Sequence, residues 1–366
     1  MVGPGVRLPA DTSVSRLQKA LASFLAALSP LALTTASTYL PRPARPEDAA
    51  LLDELQDLTQ SRRALADVTY TTQLLGAVPL DSGRYLVQLA CLGLAGTTPV
   101  VRATYDLLAR PGGASGFYFS SPLRANTRGW PITQLGNFVF RGPTAPDRPA
   151  AKAYARQATS YDRLLGAPKQ LTKVFCCADL PTALRLLGVH YKADYAGSAH
   201  NSLSARTPAH LLVLYGEGPL AQFDPHDLWH QRLRNVIPAA TINKPVDEGC
   251  AFLYGGSWGL SWAQILTQFQ AWVAAHPNRD WLAAYDSFAN VSTTPRKPLL
   301  EAYVLNALLV QQLAQQKGFG AVRQLLACGP YEKSNDNYFR VLGEVAGITR
   351  ENFNTRITQL IRASHP

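Results

Sequence analysis

The chain has 366 residues, of which 47% are hydrophobic and 16% charged, and it carries a formal net charge of +10. That is the composition of a globular protein with apolar material for one large core or two ordinary ones, and it excludes a disordered chain. The basic residues are scattered, with no long basic run and no nucleic-acid motif. Nucleic acid is therefore not expected as a partner, and a weak attraction to anionic surfaces is the plain reading.

Near the N-terminus, RLQK at residues 16–19 precedes an apolar run of 14 residues at 20–33, ALASFLAALSPLAL, with small residues following near Ala36 or Ser37. A basic lead, an apolar stretch and small residues are the parts of a secretory signal peptide, so residues 1–37 are expected to be one and the protein to be exported, periplasmic or extracellular. The structural alternative is a buried or amphipathic helix. The run is too short to span a bilayer and no other stretch is long enough, so no integral membrane segment is expected.

Residues 38–165 read as a β-rich N-terminal domain with flanking helices. After a Pro/Arg-rich linker at 41–46, residues 47–65 have helical periodicity. Short β-branched or aromatic runs follow at 85–92, 100–108, 116–120 and 132–141. Turn signals at Asp81-Ser82-Gly83 and Pro111-Gly112-Gly113 punctuate them, which predicts an antiparallel sheet. Arg124, Asn126 and Trp130 combine charge, amide and ring, either lining a groove or forming a loop tucked on the sheet. A helix is expected at 151–165.

Beyond it, LTKVFCC is a strand, Asp179-Leu180-Pro181 starts a helix that Gly188 ends, and His210 to Tyr215 is a buried strand. The five cysteines, Cys91, Cys176, Cys177, Cys250 and Cys328, stand at no metal spacing. They read as small buried thiols, neither a disulfide framework nor a catalytic nucleophile. His200 and His210 are exposed or core-satisfied imidazoles unless the fold brings them to a site.

The stretch with the most chemistry is FDPHDLWHQRLRNVIPAATINKPVDEGCA at 223–251. Asp224 and Pro225 make a strong helix start, so a helix is expected over residues 225 to about 235. His226 and His230, four apart, then share one face. A second short helix at 246–254 brings Glu248 beside them. Two imidazoles and a carboxylate with a fourth position open are the ligand set of a catalytic zinc site. Asp224 or Asp247 is available to hold a ligand imidazole by its other N–H.

HDLWH followed by DEGCA resembles the H-E-x-x-H … E-G-x-A pattern of the gluzincin zinc metallopeptidases, the peptidase MA group. The strand-helix-strand run before it and the FGAVRQLLACGPYEKSNDNYFRVLGEVAGITRENFNTRITQLI segment resemble the small sheet and helical end of that group. The resemblance implies Zn²⁺ on His226, His230 and Glu248, a peptide or protein substrate, and Asp227 at the place of the general-base Glu. It also implies an α+β fold in which residues 166–366 form a metallopeptidase-like domain: a small sheet, a metal-bearing helix and a helical C-terminal part. The last strand of that sheet would be an edge on which a peptide docks.

Asp227 departs from the pattern, because Asp is one methylene shorter than Glu and draws the base back from the water it serves. The same carboxylate at the third helical position also favours the helix dipole. Tyr254, in the glycine-rich YGGSWG that follows, is a candidate for stabilising an oxyanion, or else a core aromatic. Two functions follow: a zinc-dependent hydrolase of peptide bonds, weakened by Asp227, or a non-catalytic binding or scaffold protein that keeps the fold. After residue 254 the sequence reads as helices at 261–275, 280–288, 299–317, 321–327, 337–345 and 350–362, the last capped by Thr349. The oligomeric state is not legible.

Overall fold

The computed structural model describes residues 2–3, 6, 8, 12–28, 37–41, 47, 54–55, 58, 68–113, 116–193, 202–204, 211–292 and 297–364. The fold is α+β, with an antiparallel sheet in the N-terminal part and helices in the C-terminal part. The chain divides into two compact units, Met1–Lys152 with Gln170–Gln222, and Ala153–Lys169 with Phe223–Pro366.

In the first unit, β1 (Thr71–Pro79), β2 (Tyr85–Ala95) and β3 (Thr98–Pro111) form an antiparallel meander. The turn between β1 and β2 is Asp81-Ser82-Gly83, as the sequence indicates. On the far edge of β3 lie β4 (Phe117–Ser120) and β8 (Val189–Lys192), end to end. The second sheet runs β5 (Ile132–Leu135), β6 (Phe138–Arg141), β7 (Thr172–Cys177), β10 (Leu211–Tyr215), β9 (Ser202–Ser204). The run expected as one strand at 132–141 is a hairpin of β5 (Ile132–Leu135) and β6 (Phe138–Arg141), turned at Gly136 with φ 56°. Strand β6 is followed by α2 (Arg148–Leu165), which begins in the first unit and continues in the second.

Strands β6, β7 (Thr172–Cys177) and β10 (Leu211–Tyr215) are parallel to one another, and β9 (Ser202–Ser204) pairs antiparallel to β10. All five residues of β10 are buried, in keeping with its continuous apolar run. Helix α3 (Leu180–Leu187) starts on Asp179, whose side chain accepts from the Thr182 amide, and ends on Gly188 in the left-handed region. Helix α1 (Thr12–Ala27) buries Val14, Leu17, Leu21 and Phe24, and joins Val87, Leu107, Phe119 and Leu187 in one core. Phe24 stacks on Phe119 with ring centroids 4.9 Å apart.

Three expectations need correction. Residues 170–222 belong with the first unit, not with the histidine-bearing helix, because β8 completes the first sheet and β7 pairs with β6. Strand β10 is not an edge, since β9 occupies its second side. Thr349 does not cap the last helix: that helix starts later, and the Thr349 amide donates to the Asn352 side chain at 2.9 Å. Within residues 1–37, the stretch 12–27 is an amphipathic helix whose apolar face is core. Most of the helix expected at 47–65, the linker at 42–46, the apolar run beyond residue 28, His200 and His210 lie outside the described residues. Among the described residues no helix is long and apolar enough to cross a membrane.

The second unit is helical. After α4 (Pro225–Leu233) and α5 (Lys244–Gly255) come α6 (Trp262–Ala275), α7 (Trp281–Ser287), α8 (Glu301–Lys317), α9 (Phe319–Leu326), α10 (Asp336–Ala346) and α11 (Phe353–Ala363). Ser261 and Gln264 form a reciprocal capping box on α6, and Asp280 caps α7. Helix α8 runs buried along most of its length and lies against α5. All five cysteines are free. Burial pushes Cys176 and Cys177 up to about 12 and Cys328 to about 11, so none is a ready thiolate.

Candidate metal centre

Helix α4 begins as the sequence dictates. The Asp224 carboxylate accepts from the His226 amide at 2.9 Å, and Pro225 occupies the first helical position. Its inner face is Leu228, Trp229 and Leu233, with Arg232 held by Asp162 of α2 through two bonds of 2.7 and 2.8 Å. Tyr161 of α2 adds a tie, its hydroxyl within 2.9 Å of the Tyr254 carbonyl and 3.2 Å of the Pro225 carbonyl. Burial pushes that phenol up to about 12. These contacts fix which face of α4 is left for the two histidines.

Helix α5 approaches α4 and α8 at places that admit no side chain. A β-carbon on Gly255 would stand 2.6 Å from the His226 nitrogen, and one on Gly249 would stand 2.7 Å from the Ala307 nitrogen. The helices can therefore close on each other, and Glu248 reaches the histidine pair. His226 Nε2 and His230 Nε2 are 3.2 Å apart, Glu248 Oε2 is 3.4 Å from the first, and it is 3.9 Å from the second. Ligands bound at about 2.1 Å to a tetrahedral ion are about 3.4 Å apart, so the triangle has the dimensions of one face of such a site. The three side chains are 14, 13 and 19% exposed, so the group is neither sealed nor on the open surface.

The outer nitrogens settle which tautomers are present. His226 Nδ1 lies 2.7 Å from the Gly256 carbonyl, which only accepts, so that nitrogen carries the hydrogen. Gly256 can aim its carbonyl this way because its φ is 77°, open to glycine. His230 Nδ1 likewise donates to Asp247 Oδ1 at 2.8 Å, and the same oxygen accepts from Trp229 Nε1 at 3.0 Å. In the neutral rings both Nε2 lone pairs then face each other and a carboxylate oxygen. That arrangement repels itself unless a cation or a proton sits among the three, and it is the usual outer bonding of metal-ligating histidines.

Without a metal the site draws a proton. Burial alone would lower the His226 pKa, but hydrogen bonding to Glu248 and the Gly256 carbonyl, with the charges of Glu248 and Asp224, raises it. For Glu248, burial alone would raise the pKa, and the hydrogen bond from His226 with the charges of His230, His226 and Lys244 brings it below the ordinary value. His226, His230 and Glu248 form the one group of three metal-ligating side chains found among the described residues.

The remaining sequence candidates fare differently. Asp227 is exposed in the first turn of α4, and among the described residues its carboxylate has no hydrogen-bond partner. Asp247, one of two candidates for holding an imidazole, does so; Asp224 is spent on the helix cap. Tyr254 stacks on Trp229 at 5.2 Å and lies against Phe319, as a packed aromatic. Trp130 packs against the core of the first unit. The tyrosine the sequence did not single out is Tyr303 of α8. Burial pushes its phenol up to about 12, with the Glu248 and Asp247 charges adding to the effect, and its ring meets Phe252 edge-on at 5.9 Å. Nothing in LEAYVLNALL marks it, because only the packing of α8 on α5 brings it there. No family model matches the sequence, and no curated protein matches it.

Proposed function

We propose that the chain is a zinc-dependent hydrolase of peptide bonds with a gluzincin-like site. The observation that carries the reading is the convergence of His226 Nε2, His230 Nε2 and Glu248 Oε2 at 3.2, 3.4 and 3.9 Å with both imidazole tautomers set for coordination. Two nitrogens and one carboxylate favour zinc over calcium or magnesium, which take oxygen ligands. Bound there, zinc supplies Lewis acidity that polarises the scissile carbonyl and acidifies water. Asp227, exposed beside His226, accepts the proton of the attacking water. Tyr303, kept protonated by its burial, is the phenol available to hydrogen-bond an oxyanion. Asp247 and the Gly256 carbonyl keep the two rings turned inward.

A second reading, a metal-holding scaffold without catalysis, is favoured by one observation, the shorter Asp at position 227. Metal content of the purified protein, followed by hydrolysis of a denatured protein with and without chelator, separates the two. Stoichiometric zinc with chelator-sensitive cleavage supports the hydrolase, zinc without cleavage supports the scaffold, and absence of zinc removes both. In the hydrolase, Asp227→Glu raises the rate and Asp227→Asn lowers it about a hundredfold or more while zinc is retained.

A further inference from the structure

In the first unit, away from the histidines in sequence, a cavity of about 900 Å³ is lined by Arg84, Arg110, Arg124 and Arg128 together with Asp81 and Glu47. Its volume lies in the range of small-molecule sites. The four cations come from four places in the chain: the residue just before β2, the end of β3, the helical turn Leu123–Asn126, and residue 128 just after that turn. Two are held through part of their guanidinium groups. Arg84 Nε donates to the Asp81 carbonyl at 3.0 Å, and Arg110 sits over the Tyr118 ring at 4.9 Å. Among the described residues the terminal amino groups of both guanidinium forks make no further hydrogen bond or ion pair.

Arg124 and Arg128 are four residues apart in the chain, the first in the helical turn and the second just beyond it, and both are exposed. Among the described residues neither makes an ion pair. The acids of the lining do not balance the four. Glu47 is buried and committed through Oε1 to Lys173 at 2.7 Å, which leaves Asp81 alone. The other Glu47 oxygen, Oε2, is buried and has no hydrogen-bond partner among the described residues. A concave wall with four guanidinium groups and one buried, unsatisfied acceptor matches a ligand that carries concentrated negative charge and a hydroxyl or amine. Guanidinium forks pair two-pronged with phosphate oxygens.

We infer that this cavity binds a phosphate-bearing small molecule, its anion held by Arg84, Arg110, Arg124 and Arg128 and a donor group of the ligand meeting Glu47 Oε2. The phosphate belongs to a soluble ester or to a phosphorylated lipid headgroup, and the two sources are separable. The inference does not rest on the metal reading.

The test uses the full chain with His226→Ala and His230→Ala, so that the histidine cluster takes no part in anion binding. Inorganic pyrophosphate and inositol trisphosphate are titrated by calorimetry. Phosphatidylcholine vesicles with and without phosphorylated phosphatidylinositol are tested by co-sedimentation. Saturable binding is expected for inositol trisphosphate, weaker for pyrophosphate, which lacks the hydroxyls, and falling as salt rises from about 50 to about 200 mM. Arg124→Ala and Arg128→Ala each weaken it about tenfold. The exposed Arg356→Ala on α11 changes nothing. Binding to the free headgroup as tightly as to vesicles assigns a soluble ligand, and binding confined to the phosphorylated vesicles assigns a lipid. The proposal is overturned if neither soluble anion nor vesicle binds. It is also overturned if Arg124→Glu with Arg128→Glu, shown folded by an unchanged melting temperature, binds as the parent does.

Discussion

Asp247 is the point at which the metal centre is most open to test. Its Oδ1 accepts from His230 Nδ1 at 2.8 Å and from the indole of Trp229, which is wholly buried, at 3.0 Å. Asp247→Asn keeps the shape and an accepting oxygen but removes the charge that makes the opposite nitrogen of His230 a better donor to a metal. Loss of such an outer partner lowers metal affinity about 10- to 100-fold, which is about 1.4 to 2.8 kcal/mol. Asp247→Ala does more, because two donors lose their acceptor. A buried unsatisfied donor costs about 1 to 3 kcal/mol. The Trp229 N–H should bear the upper part of that range and the partly exposed His230 the lower, for a total of about 3 to 5 kcal/mol. Zinc affinity is measured by chelator competition and stability by urea unfolding of the metal-free protein. If Asp247→Asn holds zinc as tightly as the parent and Asp247→Ala unfolds at the same urea concentration, the carboxylate neither orients His230 nor braces Trp229, and the derivation of the site fails.

Other outcomes follow from the same geometry. In the metal-free protein His226 is raised above its ordinary 6.5, so its contribution is full below that pH and fades as pH climbs through the raised value. Glu248 is lowered below 4.5, so its contribution is full above that pH and fades as pH falls through the lowered value. The pair thus stabilises most between about pH 4.5 and 6.5, and a urea-midpoint profile that Glu248→Gln leaves unchanged would contradict this. With metal the sense reverses for binding, because zinc requires neutral rings and its affinity falls with acid. Tyr303→Phe should lower hydrolysis without altering zinc content, whereas Tyr254→Phe should leave the rate within about twofold; equal losses from both would sink the assignment of roles. Phe24→Ala, which empties a wholly buried site stacked on Phe119, should destabilise the first unit by about 3 to 5 kcal/mol in thermal or urea unfolding. Cleavage after residue 37, as export by a signal peptide entails, would remove the same ring and its helix. The mass of the protein recovered from the export compartment, set against its stability, decides which role residues 12–27 serve.

Legibility followed the range of the interaction. Helix α4 could be placed from Asp224 and Pro225, and α3 from Asp179 and Gly188, because caps and breakers act on their own neighbours. The pairing of His226 with His230 is a property of one helix and needs no tertiary contact. Glu248 required the second helix to turn back, which the motif indicated and the glycines at 249 and 255 permit. What stayed hidden was non-local. Nothing in the sequence tells that β8 belongs to β3 across about 80 residues, or that β9 covers β10, so the unit boundary and the covered side of β10 are not legible there. The residues 20–33 look the same whether they are bound for a translocon or for a core, since both want apolar side chains. Arg84, Arg110, Arg124 and Arg128 read as scattered charge along the chain and become one wall only when β2, β3 and the turn after β4 come together.

The two glycines of α5 carry a consequence for how the metal ligands are delivered. Gly249 and Gly255 are six positions apart, roughly 9 Å along the helix axis, and each abuts foreign backbone with no room for a methyl group. A rod pinned at two such points can neither slide nor roll. The spacing of Glu248 from the imidazoles is thus set by main chain against main chain, and the polypeptide offers a rigid gauge into which an ion either fits or does not. On the zinc reading, a single added methyl at either pin pushes main chain from main chain, so it costs stability and displaces Glu248 from the imidazoles together.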